Sequence, residues 1–143
     1  MKPDTHLALQ NLLDWYATLS PQTVSSSRRF YSADARFKDP FNDVAGIAAI
    51  ENIFTHMFKH TEHPRFVIRE VLIDDDRAMI TWDFEFGIRG AQYVVQGASR
   101  LLFDQEGKVM DHRDYWDPAE DLWGKMPIIG GAVTWLRSRF RCQ

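Results

Sequence analysis

Tyr31-Ser32-Ala33-Asp34-Ala35-Arg36-Phe37-Lys38-Asp39-Pro40-Phe41 is the stretch that decides the fold. Residues 33–39 alternate: Ala35, Phe37 and Asp39 point one way, Arg36 and Lys38 the other. That period of two is a strand with one apolar face. Pro40 has no amide hydrogen to give a ladder and stops it. Asp39 thus shares the face of Phe37, which leaves two readings open. An acid aimed into a ring-lined space is desolvated, which raises its pKa and suits a general base near neutral pH. Alternatively, its side chain caps the turn at residues 41–43.

Working outward, residues 41–45 read as a turn and a helix runs from Gly46 to about His60. Ile47, Ile50, Phe54, Met57 and Phe58 form its apolar stripe. Upstream, Asp4 or Thr5 caps a first helix carrying Leu7, Leu9, Leu12, Leu13, Tyr16 and Leu19, with Trp15 beside them, and Ser20-Pro21 ends it. A short second helix fits residues 22–30. Downstream of Pro64 the period changes to two. Strands are expected at 66–73, 78–87, 92–103 and 109–116, with a turn at Asp74-Asp75-Asp76 and a hairpin loop at 104–107, where Gly107 supplies positive φ. A helical turn follows Asp117-Pro118 through Trp123, and a last helix spans 130–141. Helices segregated from a run of antiparallel strands argue for an α+β fold.

The chain has 143 residues, one domain's worth, with a core at about 5–117 and a helical extension at about 118–143. Net charge is −3, without the basic footprint of a nucleic-acid binder. The single cysteine, Cys142, excludes an internal disulfide and a cysteine-rich zinc site. No signal-like or spanning apolar run is present, so the expectation is a soluble, cytoplasmic protein. His56 and His60 lie four apart with His63 beyond, but no carboxylate completes a metal set, so they read as a solvated helix face. The unusual feature is the ring count of 10 Phe, 5 Trp and 4 Tyr, since rings line pockets as readily as they fill cores.

The quoted stretch, followed by Gly46-Ile47-Ala48-Ala49-Ile50, resembles the nuclear transport factor 2-like superfamily, which includes ketosteroid isomerases and SnoaL-like polyketide cyclases. Leu102-Phe103-Asp104-Gln105-Glu106-Gly107-Lys108-Val109 and then His112 to Asp117 resemble the family's last hairpin. The resemblance implies a cone-shaped fold: a curved, mostly antiparallel sheet with helices on its concave face, enclosing an apolar pocket. Asp39-Pro40 matches the isomerases' Asp-Pro step, whose aspartate removes a proton next to a carbonyl. Tyr16 matches their helix-one tyrosine, a donor to the developing oxyanion. Ser99 falls where they carry a protonated aspartic acid, and a serine is the weaker donor. Asp114 corresponds to a strand carboxylate that the cyclases pair with a histidine.

The last strand puts Met110, His112, Asp114 and Trp116 on one face and Val109, Asp111, Arg113 and Tyr115 on the other; which face points inward stays open. The expected catalytic set is Asp39, Tyr16, His112 and Asp114. Trp15, Phe37, Phe54, Phe58, Trp82, Phe84, Ser99 and Trp116 are the expected ligand wall. Either aspartate serves as base, His112 as shuttle and Tyr16 as oxyanion donor. The expected ligand is a small hydrophobic carbonyl compound undergoing isomerisation or cyclisation, with no metal and no cofactor. The alternatives are a non-catalytic carrier or sensor and a dimeric interaction module; a homodimer fits all three. The stripe Ile129, Val133, Leu136 and Phe140 with Arg137, Arg139 and Arg141 reads as a lid or packing helix, with membrane-surface contact as the second reading.

Overall fold

The computed structural model describes residues 4–121 and 138–139. Helix α1 (Thr5–Ala17) starts where the Asp4 side chain accepts a hydrogen bond from the His6 amide at 2.9 Å. Leu9, Leu12, Trp15 and Tyr16 form its buried stripe. The expected short second helix is a 3₁₀ helix at Val24–Arg29. Strand β1 (Tyr31–Lys38) follows, then β2 (Asp43–Ala45), where the sequence suggests only a turn. The turn at Asp39 to Asn42 folds the chain back, so that β2 pairs antiparallel with β1.

Helix α2 (Ile47–His60) begins after Gly46 at φ 99°, a conformation that disfavours any side chain. Strands β3 (Glu62–Asp74), β4 (Arg77–Ile88), β5 (Ala91–Phe103) and β6 (Val109–Trp116) complete a six-stranded sheet. Its order is β2-β1-β6-β5-β4-β3, antiparallel except for β1 beside β6. The loop from β5 to β6 is closed by the Asp104 carboxylate, which accepts from the amides of Glu106 and Lys108, with Gly107 at φ 78°. Helix α3 (Pro118–Asp121) ends the continuous part.

Two irregularities set the site. The β1–β6 register shifts between Tyr31 and Arg36, and both Tyr31 and Phe37 end up buried. A second shift, between Leu102 and Phe103, lets Val109 and His112 both face inward. Strict alternation therefore fails at the start of β6. Met110, grouped by sequence with His112, is 43% exposed, because the extra residue of the bulge turns it outward. The expected helix at 130–141 and Trp123 lie outside the described residues, apart from a helical Ser138 and Arg139. Among the described residues no helix is long and apolar enough to cross a membrane.

Candidate active site

A cavity of about 100 Å³ opens between α1, α2 and the sheet. Its wall is ring-rich, with Phe37, Phe54, Phe66, Trp82, Phe84 and Trp116, and its polar groups are few: Tyr16, Asp39, His56, Ser99, His112 and Asp114. Among the described residues that line it there is no Lys or Arg.

Strand register builds the central pair. His112 and Asp114 are two apart on β6 and share a face, and His112 Nε2 lies 2.6 Å from Asp114 Oδ1. Ser99 is the cross-strand partner of Asp114, and its hydroxyl donates to the same Oδ1 at 2.5 Å. The Trp82 indole N–H donates to Ser99 Oγ at 2.8 Å. Asp114 Oδ2 has no hydrogen-bond partner among the described residues. Ser99 thus differs from its expected role as a ligand donor: its one proton is committed to Asp114. Its contribution is to hold the carboxylate.

On the other side of the imidazole, the Tyr31 hydroxyl lies 2.8 Å from His112 Nδ1, with the Tyr16 hydroxyl hydrogen-bonded to that of Tyr31 and 3.4 Å from the same nitrogen. The Tyr31 ring stacks on His112 at 5.9 Å, and Phe37, the register neighbour of His112, packs at 4.6 Å. Burial pushes the Tyr16 hydroxyl far above the usual phenol range, with the Asp114 carboxylate adding to the shift. Tyr31 is pushed the same way, again chiefly by burial.

Asp39 combines both readings that the sequence left open. Its Oδ1 accepts from the amides of Phe41 (2.8 Å) and Asn42 (2.7 Å), which caps the turn. The Asn42 side-chain amide reaches both carboxylate oxygens at 3.1 Å. The group also lines the cavity, and burial, then the charge on Asp114, raises its pKa to about 6 against the opposing hydrogen bonds.

That shift carries a stability signature. The folded state holds the Asp39 proton up to about pH 6, the unfolded chain only to about 3.8. Between those values the folded state binds more protons, so stability falls as pH rises. The full difference is at most about 3 kcal/mol. Asp39→Asn should remove this slope, with urea midpoints of variant and wild type diverging from pH 4 to 7 in favour of the variant. Parallel curves would refute the raised pKa.

Two expected wall residues lie elsewhere. Trp15 packs against Phe30 (5.0 Å) and Phe54 (5.5 Å), and its N–H donates to the Thr23 carbonyl at 3.1 Å. It borders an outer groove beside Arg29 and Glu106, because it sits next to Tyr16 on the helix and so projects at a different angle. Phe58 packs on the core but does not line the cavity. His56, in contrast, departs from the solvated-face reading: it lines the cavity, and its Nε2 contacts the Arg139 carbonyl. The Arg139 guanidinium lies 3.4 Å from His60 Nδ1. His60 has a lowered pKa, from desolvation first and His56 second. Among the described residues no cluster of three His, Cys, Asp or Glu could hold a metal.

The SnoaL-like domain family matches residues 12–112. No curated protein matches the chain. Among solved structures, an M. tuberculosis LEH-like epoxide hydrolase superposes with a TM-score of 0.72 at 14% identity, covering 94% of this chain and 97% of its own. A ketosteroid isomerase-like protein from Catenulispora acidiphila, in complex with trimethylamine, gives 0.68 at 17%, covering 85% and 92%. TerC, co-crystallised with polyporic acid, gives 0.69 at 17%, covering 79% and 93%. At such identities the likeness establishes the cone-like α+β architecture and not an activity. With most of its length matched by the family and the same architecture in its structural neighbours, the chain belongs to the SnoaL-like domain family.

Proposed function

We propose that the cavity binds a small, largely apolar carbonyl compound and moves a proton on it, as an isomerase or cyclase without a cofactor. The observation that carries this reading is the convergence of Asp114, His112 and Asp39 on one ring-lined space. A carrier needs one or two anchors; two carboxylates and a histidine set into apolar walls are the inventory of acid–base chemistry. Asp114 is the base: Ser99 and His112 hold one oxygen, and no described residue bonds the other. Asp39, whose pKa burial raises to about 6, is the second acid–base group and returns the proton. Neighbours of the same fold crystallised with trimethylamine and with polyporic acid support small-molecule binding by this fold.

The test is deuterium uptake from D₂O into a panel of small aromatic ketones and cyclic 1,3-diketones, followed by NMR. Wild type should accelerate exchange for at least one member, and the Asp39→Asn/Asp114→Asn double variant, still folded, should not. Equal exchange by both proteins on every member would leave the carrier reading in its place.

A further inference from the structure

Tyr31 has no part in the proton-transfer reading above, yet it is fully buried, lies outside the cavity wall and touches both Tyr16 and His112. We propose that Tyr31 is a positioning residue that couples the protonation of His112 to the direction in which the Tyr16 hydroxyl points. This deepens the proposed function and rests on it.

The inference is a proton count. Asp114 as a carboxylate only accepts, and His112 Nε2 is 2.6 Å from it, so Nε2 carries a hydrogen. In a neutral imidazole Nδ1 is then an acceptor. Tyr31 at 2.8 Å is its donor; Tyr16 at 3.4 Å is beyond a good bond. Each phenol has one hydrogen. Tyr31 spends its own on His112, so the hydrogen between the two hydroxyls belongs to Tyr16. In this state Tyr16 offers the cavity only lone pairs.

One added proton on His112 reverses the row. Nδ1–H now donates to the Tyr31 oxygen, Tyr31 donates to Tyr16, and the Tyr16 hydrogen turns to the cavity, where it meets a ligand oxygen. Delivery to an enolate oxygen also balances. The Nδ1–H, Tyr31 O–H and Tyr16 O–H bonds break. One O–H forms on each tyrosine and one on the ligand, and His112 is left neutral. Neither phenol is left ionised, which accords with burial opposing both phenolates. Among the described residues, the titratable groups that line the cavity together with His112 are Asp114 on β6, Tyr16 on α1, Asp39 after β1 and His56 on α2.

The experiment needs no substrate. Wild type and Tyr31→Phe, labelled with ¹³Cζ-tyrosine and ring ¹⁵N-histidine, are titrated by NMR. In wild type, neutral His112 should be the Nε2–H form with Nδ1 hydrogen-bonded. The Tyr16 ¹³Cζ resonance should move in step with His112 protonation. In Tyr31→Phe, which keeps the ring, Nδ1 should lose its hydrogen-bonded shift and the Tyr16 step should fall by more than half. A Tyr16 resonance that stays fixed while wild-type His112 titrates, or an undiminished step in the variant, overturns the proposal. The wild-type titration decides alone where the variant does not fold. Coupling without catalysed exchange would refute the enzyme reading and leave the tyrosine row standing; exchange without coupling would refute the row alone.

Discussion

Asp114→Asn is expected to slow proton exchange on an accepted carbonyl compound by about 10²–10⁴-fold, the usual contribution of a placed general base. Asparagine keeps the shape and one carbonyl oxygen. It still accepts from Ser99, the bond that holds the side chain at 2.5 Å. The variant should therefore fold and bind, with the loss in kcat and little change in KM. Asp39→Asn should cost less, about tenfold. Most of the Asp39 lone pairs already serve the amides of Phe41 and Asn42, and the turn survives with an amide oxygen in that place. The two variants thus rank the carboxylates. A larger loss for Asp39→Asn would move the base to the turn and leave Asp114 as the partner that sets the His112 tautomer. Deuterium uptake at fixed pD, with urea midpoints as the folding control, gives the ranking directly.

Much of this was legible in the chain. Alternation in residues 78–87 put Ile80, Trp82, Phe84 and Phe86 on one face, and all four are buried. Asp39 was legible as both wall and cap, because the residue that precedes a strand-ending proline belongs to both. The losses fell where period two breaks. The bulge between β5 and β6 moved Met110 outward, and nothing in the residue types of β6 announces an extra residue. Tyr31 had a weak signal: the odd-numbered face of Ala35 and Phe37 runs back to it, but the exposed Ala33 interrupts the face and hides the extension. Ser99 lines the cavity, but its bond to Asp114 was hidden, since a hydroxyl's partner depends on cross-strand register. Trp15 and Tyr16 show the limit of helical pattern. Both are buried and adjacent, yet only one reaches the cavity.

Gly97→Ala is the second variant with a large expected effect, and it tests the scaffold of the site. Gly97 sits on β5 between Trp82 and Trp116 of the neighbouring strands. A Cβ there would lie 2.5, 2.7 and 2.9 Å from three atoms of the Trp82 ring. Carbon pairs prefer about 3.5–4.0 Å, so the ring must move. It has little room: Phe66 meets it edge-on at 5.9 Å and its N–H is anchored on Ser99. Elsewhere in a strand, exchanging glycine for alanine is neutral or helpful. Here the overpacking should cost about 1–3 kcal/mol. A displaced indole also releases Ser99, and with it the grip on Asp114 Oδ1, so activity should fall along with stability. Trp82→Phe shortens the ring and should rescue Gly97→Ala, so that the double variant costs less than the two single changes together. Urea unfolding of the four proteins measures that coupling. Additive costs, or a Gly97→Ala protein as stable as wild type, would show that the glycine is not what seats the tryptophan over the strand.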